Sequence, residues 1–102
     1  MKIWIDDIRP APDDYLWIRT VLGAKTVIGM FLKNYLGKEL LIDLDHDAGD
    51  FSKDGGDYIE ILNWLECEGI VDDRFTFHIH SMNPVGVENM RRIIKRNEWK
   101  EV

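Results

Sequence analysis

Apolar residues in this chain alternate between short dense runs and longer spaced series. The dense runs lie at 2–6, 15–19, 39–44 and 75–80. Each is brief, and the second is rich in β-branched and aromatic residues, which predicts four strands. Between them Ala24, Val27, Ile28, Phe31, Leu32 and Tyr35 recur at helical spacing, and the helix they imply closes near Gly37. Gly23 and Gly29 weaken the beginning of that helix. Tyr58, Ile61, Leu62 and Leu65 mark a second helix over about 56–68, with Gly69 to stop it. Asn83 has the character of an N-cap with Pro84 at the first helical position. Val87, Met90, Ile93 and Ile94 give this third helix its buried side.

Residues 8–14 read as a loop, because Pro10 and Pro12 oppose an early helix. The acidic, glycine-bearing stretch 47–56 reads as another. Strands alternating with helices predict a parallel sheet joined by right-handed crossovers. The run at 39–44 is almost continuously apolar, as expected of a central strand covered on both faces. The link from the first strand to the second is too short for an ordinary helical crossover. At 102 residues, the chain suits a single domain, residues 1–102, with one modest core.

Composition narrows the class. No apolar run approaches the ~20 residues that span a bilayer, and an N-terminus that opens as a strand carrying acids is no leader peptide. Cys67 is the single cysteine, which excludes an internal disulfide and favours a cytoplasmic setting. A net charge of −6 argues against extended nucleic-acid binding, which needs many cations. The segment 85–102 is mildly basic through Arg91, Arg92, Lys95, Arg96 and Lys100; it reads first as a solvated helix face, with steering of a small anion or an RNA end as the alternative.

Polar groups gather where the predicted strands end, the edge at which open α/β sheets bind ligands. Asp6 and Asp7 follow the first strand and Asp45-His46-Asp47 the third. His80-Ser81 follow the fourth, with Asn83 just beyond. Asp6, Asp7 and Asp45 are candidate ligands for a hard divalent cation, Mg²⁺ or Mn²⁺. Asp43, inside a strand, is costly as a carboxylate unless paired. His78 and His80 share a strand face. His78 reads as a hydrogen-bonded core residue, and His80 as a general acid or base or a phosphate-binding cation. His46 is an alternative acid–base group and Arg9 a candidate phosphate clamp. Ser81, Asn83 and the helix N-terminus suit phosphoryl oxygens, and Gly86 would allow close approach of an anion.

Asp6-Asp7, Asp45 and Ser81 after successive strands resemble the layout of response-regulator receiver domains. A closer resemblance is to the compact cyclic-phosphate-processing receiver domains. It is carried by Trp4-Ile5-Asp6-Asp7-Ile8-Arg9-Pro10, Leu44-Asp45-His46-Asp47 with Gly49, Gly56-Asp57-Tyr58, and His80-Ser81-Met82-Asn83-Pro84-Val85-Gly86 with Asn89-Met90. The resemblance implies a flavodoxin-like three-layer α/β sandwich of about four mostly parallel strands and about three helices, lacking the fifth strand and last helix. It implies a role in processing cyclic phosphates, in RNA repair or in conflict between phage and bacteria. The expected activity is a divalent-metal-dependent phosphoesterase. Its substrate would be an RNA 2′,3′-cyclic phosphate end, a cyclic nucleotide or an ADP-ribose cyclic phosphate. Asp45, His80 and His46 would carry catalysis, and Arg9, Ser81, Asn83 and Gly86 would bind the phosphate. The alternatives are a module that binds a cyclic nucleotide without consuming it, and a signalling domain phosphorylated on Asp45. The second is disfavoured, since no lysine stands where receivers carry one.

Overall fold

The computed structural model describes every residue from Met1 to Val102. In chain order its elements are β1 (Lys2–Ile5), β2 (Leu16–Ile18), α1 (Val21–Asn34), β3 (Leu40–Leu44), α2 (Ile59–Glu68), β4 (Phe75–Ile79), α3 (Pro84–Arg96) and β5 (Lys100–Glu101). The strands form one parallel sheet in the order β2-β1-β3-β4-β5. That is the flavodoxin-like order, in which ligands bind beyond the strand ends where the winding reverses, here between β1 and β3.

Handedness explains the layering. The connections from β2 to β3, β3 to β4 and β4 to β5 all step across the sheet in one direction. Right-handed crossovers therefore place α1, α2 and α3 on the same face. Ile3, Ile5, Leu40, Ile42, Leu44, Phe75, Phe77 and Ile79 point to that face and merge with the buried sides of the helices in one apolar cluster. The link from β1 to β2 runs the other way, and it is the helix-free segment 6–15. The opposite face therefore lacks a helical layer, which is the one departure from the expected three-layer arrangement. It carries the alternate residues instead, with Trp4, Asp43 and His78 side by side in register. The continuous run in β3 is thus apolar on one face and carries a buried acid on the other.

Four further differences from the sequence reading have local causes. A fifth strand exists, paired through Thr76–Lys100 and Phe77–Glu101, and Val102 N–H donates to the Phe77 carbonyl at 2.8 Å. Two residues carry no periodicity to read. Helix α1 runs through both glycines because Thr20 caps it, its Oγ1 accepting from Gly23 N–H at 2.9 Å. Helix α2 begins at Ile59, since the backbone at Gly55 and Gly56 is left-handed. The acidic stretch before it contains a 3₁₀ helix, Gly49–Asp54. No helix is long and apolar enough to cross a membrane.

Candidate functional site

Asp6 leaves β1 at the switch point and is 1% exposed. Its Oδ1 accepts from the amides of Ile8 and Arg9, both at 2.9 Å, and so closes the turn after the strand. Two indoles pin this turn: Trp17 Nε1 donates to the Asp6 carbonyl at 2.8 Å and Trp4 Nε1 to the Arg9 carbonyl at 2.9 Å. Asp6 Oδ2 accepts from Arg9 Nε at 3.1 Å and lies 2.9 Å from His80 Nε2. Burial raises the proton affinity of Asp6, but these amide, imidazole and guanidinium partners outweigh it, and its carboxyl lies below the usual value.

His80 sits between two acids. Its Nδ1 is 2.6 Å from Asp43 Oδ1, and its ring stacks on Trp4 with centroids 3.7 Å apart and planes 3° from parallel. Both ring nitrogens thus face carboxylate oxygens. A neutral imidazole carries one N–H, so satisfying both contacts needs a second proton, on the ring or on a carboxyl. Asp43 was legible as a buried acid in need of a partner. The register supplies the partner, since His78 lies beside Asp43 and His80 follows two residues on. His78 itself is hydrogen-bonded as expected, through Nδ1 to the Val102 carbonyl at 2.7 Å. It stands on the helix-free face, not in the apolar core.

Arg9 ties the cluster together. Its Nη2 donates to the His80 carbonyl at 2.9 Å and stands 3.5 Å from Asp45 Oδ2. Asp45 lies just past β3, where its Oδ1 accepts from His46 N–H at 2.8 Å. The Asp7 carboxylate lies beside Gly49, whose left-handed backbone leaves no room for a Cβ there. Burial raises the pKa of Asp7, and the charges of Asp6 and Asp45 add to the rise. Burial, and after it the same three acids, raise the pKa of the Tyr58 phenol, whose hydroxyl donates to the Arg19 carbonyl at 2.7 Å.

Across the cleft, Asn83 caps α3 as expected, its Oδ1 accepting from Gly86 N–H at 3.0 Å. Its Nδ2 donates to Asp47 Oδ2 at 3.3 Å, and Asp47 Oδ1 lies 3.0 Å from His46 Nδ1. The His46 hydrogen bond holds the Asp47 carboxyl below its usual value, with Asn83 adding to the effect against burial. Ser81 Oγ accepts from Asn83 N–H at 3.1 Å. Gly86 does have a close neighbour, but it is the His46 ring, which a Cβ would overlap. That ring fills the approach the sequence reading left to an anion.

The cleft enclosed by these residues is open and about 420 Å³ in volume. Asp6, Asp7, Arg9, Asp45, Ser81 and Asn83 all line it. His80 and His46 do not: one stands behind Asp6 and the other is paired with Asp47. Ligand-capable atoms of Asp6, Asp45 and His80 lie within 4.8 Å of one another, as do those of His46, Asp47 and Asp57. Asp57, quoted in the sequence only as part of Gly56-Asp57-Tyr58, was given no site role because it falls outside the strand ends; its Oδ1 accepts from Ala48 N–H at 2.9 Å.

The donor set fits a hard cation. Every polar side chain lining the cleft from the β1 and β3 ends, Arg9 apart, is a carboxylate. Asp7 is raised first by burial and then by the charges of Asp6 and Asp45 beside it. Asp6 already has four donors on its two oxygens, so Asp7 and Asp45 are the ligands with coordination to spare. No curated protein and no solved structure matches the chain in comparisons with known proteins. A family model does, over residues 1–96. Its match spans every element that builds the cleft, and the acids at the β1 and β3 ends stand where the resemblance put them. The chain belongs to the family of cyclic-phosphate processing receiver domains.

Proposed function

We propose that the cleft binds a cyclic phosphodiester and opens it by hydrolysis with the help of Mg²⁺ or Mn²⁺. The observation that carries this reading is the gathering of Asp6, Asp7, Asp45 and Arg9 at the β1–β3 switch point, opposite the capped start of α3. Asp7 and Asp45 would hold the cation, which when bound offsets the phosphoryl charge and acidifies a water. Arg9 exchanges its contact with Asp45 for a phosphoryl oxygen. Ser81 Oγ and Asn83 Nδ2 serve the remaining oxygens where charge develops.

In the bond change, a water oxygen attacks phosphorus and the P–O bond to one ribose oxygen breaks. Asp45 takes the proton of the attacking water. The leaving oxygen takes its proton from solvent in the open cleft, while Asp6, engaged by its four donors, holds the end of β1 in place. Asp43 and Trp4 hold His80 against Asp6 and so position that end. His46 acts one step removed, by orienting Asp47.

The test is hydrolysis of 2′,3′-cyclic nucleotides and ADP-ribose cyclic phosphate by the purified chain with either cation. Turnover that needs the cation and disappears in Asp45→Asn supports the reading. No turnover of any cyclic phosphate removes it. A second reading draws on the turning of both imidazoles away from the cleft: the protein holds a cyclic phosphate without consuming it. Calorimetric binding followed by recovery of intact ligand on chromatography distinguishes the two.

A further inference from the structure

We infer that the groove along α3 is a second anion subsite, which holds backbone phosphates of a single-stranded RNA whose cyclic end occupies the acidic cleft. The inference rests on the reading of the cleft given above. The groove, about 660 Å³, adjoins the cleft, since Ser81 and Met82 line both. Beyond that junction its wall is a stripe of α3 bearing Arg91, Arg92 and Lys95 against a single acid, Glu88. In a chain of net charge −6, three cations on one stripe beside the cleft form a local field of opposite sign.

These cations are available. Arg91 Nε donates to Glu101 at 2.7 Å, and Arg92 to Glu88 and Asn89 at 3.3 Å each. Such exposed pairs hold weakly, so a phosphate can displace them. Lys95 has no ion pair. At 1.5 Å per residue, Arg91 and Lys95 lie about 10–17 Å along the helix from Pro84. A mononucleotide seated in the cleft does not reach them, whereas the next nucleotides of a strand do. The strand is single, since three cations are too few for the charge density of a duplex on an acidic protein. Met82 at the junction is 86% exposed and Val85 69%, which offers apolar surface to an unpaired base.

The experiment is fluorescence anisotropy of a short 5′-labelled single-stranded RNA, ending either in a 2′,3′-cyclic phosphate or in a 3′-hydroxyl, titrated at several salt concentrations. Wild type is compared with an Arg92→Gln, Lys95→Gln double variant whose folding is checked by its thermal melt. With three phosphate contacts, log K against log salt should have a slope of about −2, and the double variant about −0.7. A 2′,3′-cyclic mononucleotide should compete more weakly than unlabelled RNA. The same slope in both proteins, equal competition by the mononucleotide, or no RNA binding would overturn the subsite. If both RNA ends bind alike while the slope still falls in the variant, the subsite stands and the reading of the cleft fails. If the cyclic end alone gains affinity and the slope does not change, the cleft stands and the subsite fails.

Discussion

The two faces of the sheet are made from alternate residues of the same strands, yet they hold the fold by different means. The face under the helices presents only apolar side chains from β1, β3 and β4, all less than a tenth exposed. The opposite face carries Trp4, Asp43 and His78 in register, with His80 laid across Trp4 and clamped between Asp43 and Asp6. Burial on the first face is non-directional, so the residues there are exchangeable for others of similar volume. On the second, every buried side-chain polar atom has a partner, and loss of one strands the others. Both faces contribute stability; the second also fixes where the carboxylates of the cleft stand.

The comparison breaks most readily at His80. His80→Ala leaves Asp43 and Asp6, 5% and 1% exposed, facing each other without their shared partner. The expected loss is about 3–5 kcal/mol of folding stability, the usual cost of leaving a buried charge unpaired. Phe77→Ala, from the apolar face, should cost a similar ~3–5 kcal/mol by opening a cavity. Urea denaturation of the two variants measures both. A His80→Ala loss under ~1 kcal/mol would mean that the polar network is not part of what holds the sheet.

Asp45→Asn should separate function from stability. Asp45 accepts from a neighbouring amide and stands 3.5 Å from an Arg9 that is 44% exposed, so its charge contributes under ~1 kcal/mol to folding. Cation-dependent turnover of a cyclic phosphate should fall by at least about 100-fold, or ~2.7 kcal/mol in the barrier. A large stability loss without loss of turnover would move Asp45 from the cleft's chemistry into the network behind it.

What the sequence disclosed follows the same division. The helix-covered face was legible because its residues repeat at the periods of strand and helix, and Asn83-Pro84 announced α3 by its cap. The positions of Asp6, Asp7 and Asp45 beyond their strands were legible for the same reason. The direction of each side chain was not. Asp6 turns inward because the amides of Ile8 and Arg9 and the Arg9 guanidinium lie there, and those contacts arise from a loop with no periodicity. His80 was recognised, but its burial depends on Trp4 and Asp43, drawn from two other strands. Nor could the chain show that the β3 run is covered by helices on one face only. That depends on the direction in which each crossover steps, a property of strand order. Gly86 shows the limit most simply: its smallness was read as room for a ligand, and the room is filled by His46 from a segment about forty residues away.

A smaller effect sharpens the contribution of the stack. Trp4→Leu keeps an apolar side chain over His80 but removes the ring face and the indole N–H that holds the Arg9 carbonyl. An aromatic stack is worth ~0.5–1.5 kcal/mol beyond its area, and a hydrogen bond about 1 kcal/mol. The expected loss is about 2 kcal/mol, again by urea denaturation. If the stack orients His80, the variant should also lower turnover at unchanged KM, and Trp4→Phe should restore part of it.

The smallest expected effect is the most diagnostic of the cleft, and it concerns Asp7. Burial and the charges of Asp6 and Asp45 raise its pKa above the ordinary 3.8. Between that value and the raised one, the folded chain holds more protons than the unfolded chain, so Asp7 makes stability fall as pH rises through this window. Asp6 and Asp47, whose pKa values are lowered, act in the opposite sense: their contribution is present above 3.8 and is lost as pH falls. The Asp7 contribution is isolated by subtracting the melting profile of Asp7→Asn from that of wild type across pH. The difference should decline through the window and leave the variant the more stable protein near neutral pH. Adding Mg²⁺ or Mn²⁺ should raise the melting temperature of wild type and close the gap, with little effect on the variant. Such a reversal is expected where carboxylates are held together for a ligand at the expense of the empty fold. Wild type equal to or above Asp7→Asn at neutral pH without added cation would mean that the acids at the switch point are already fully neutralised by Arg9 and His80, and that the cleft has no unmet demand for positive charge.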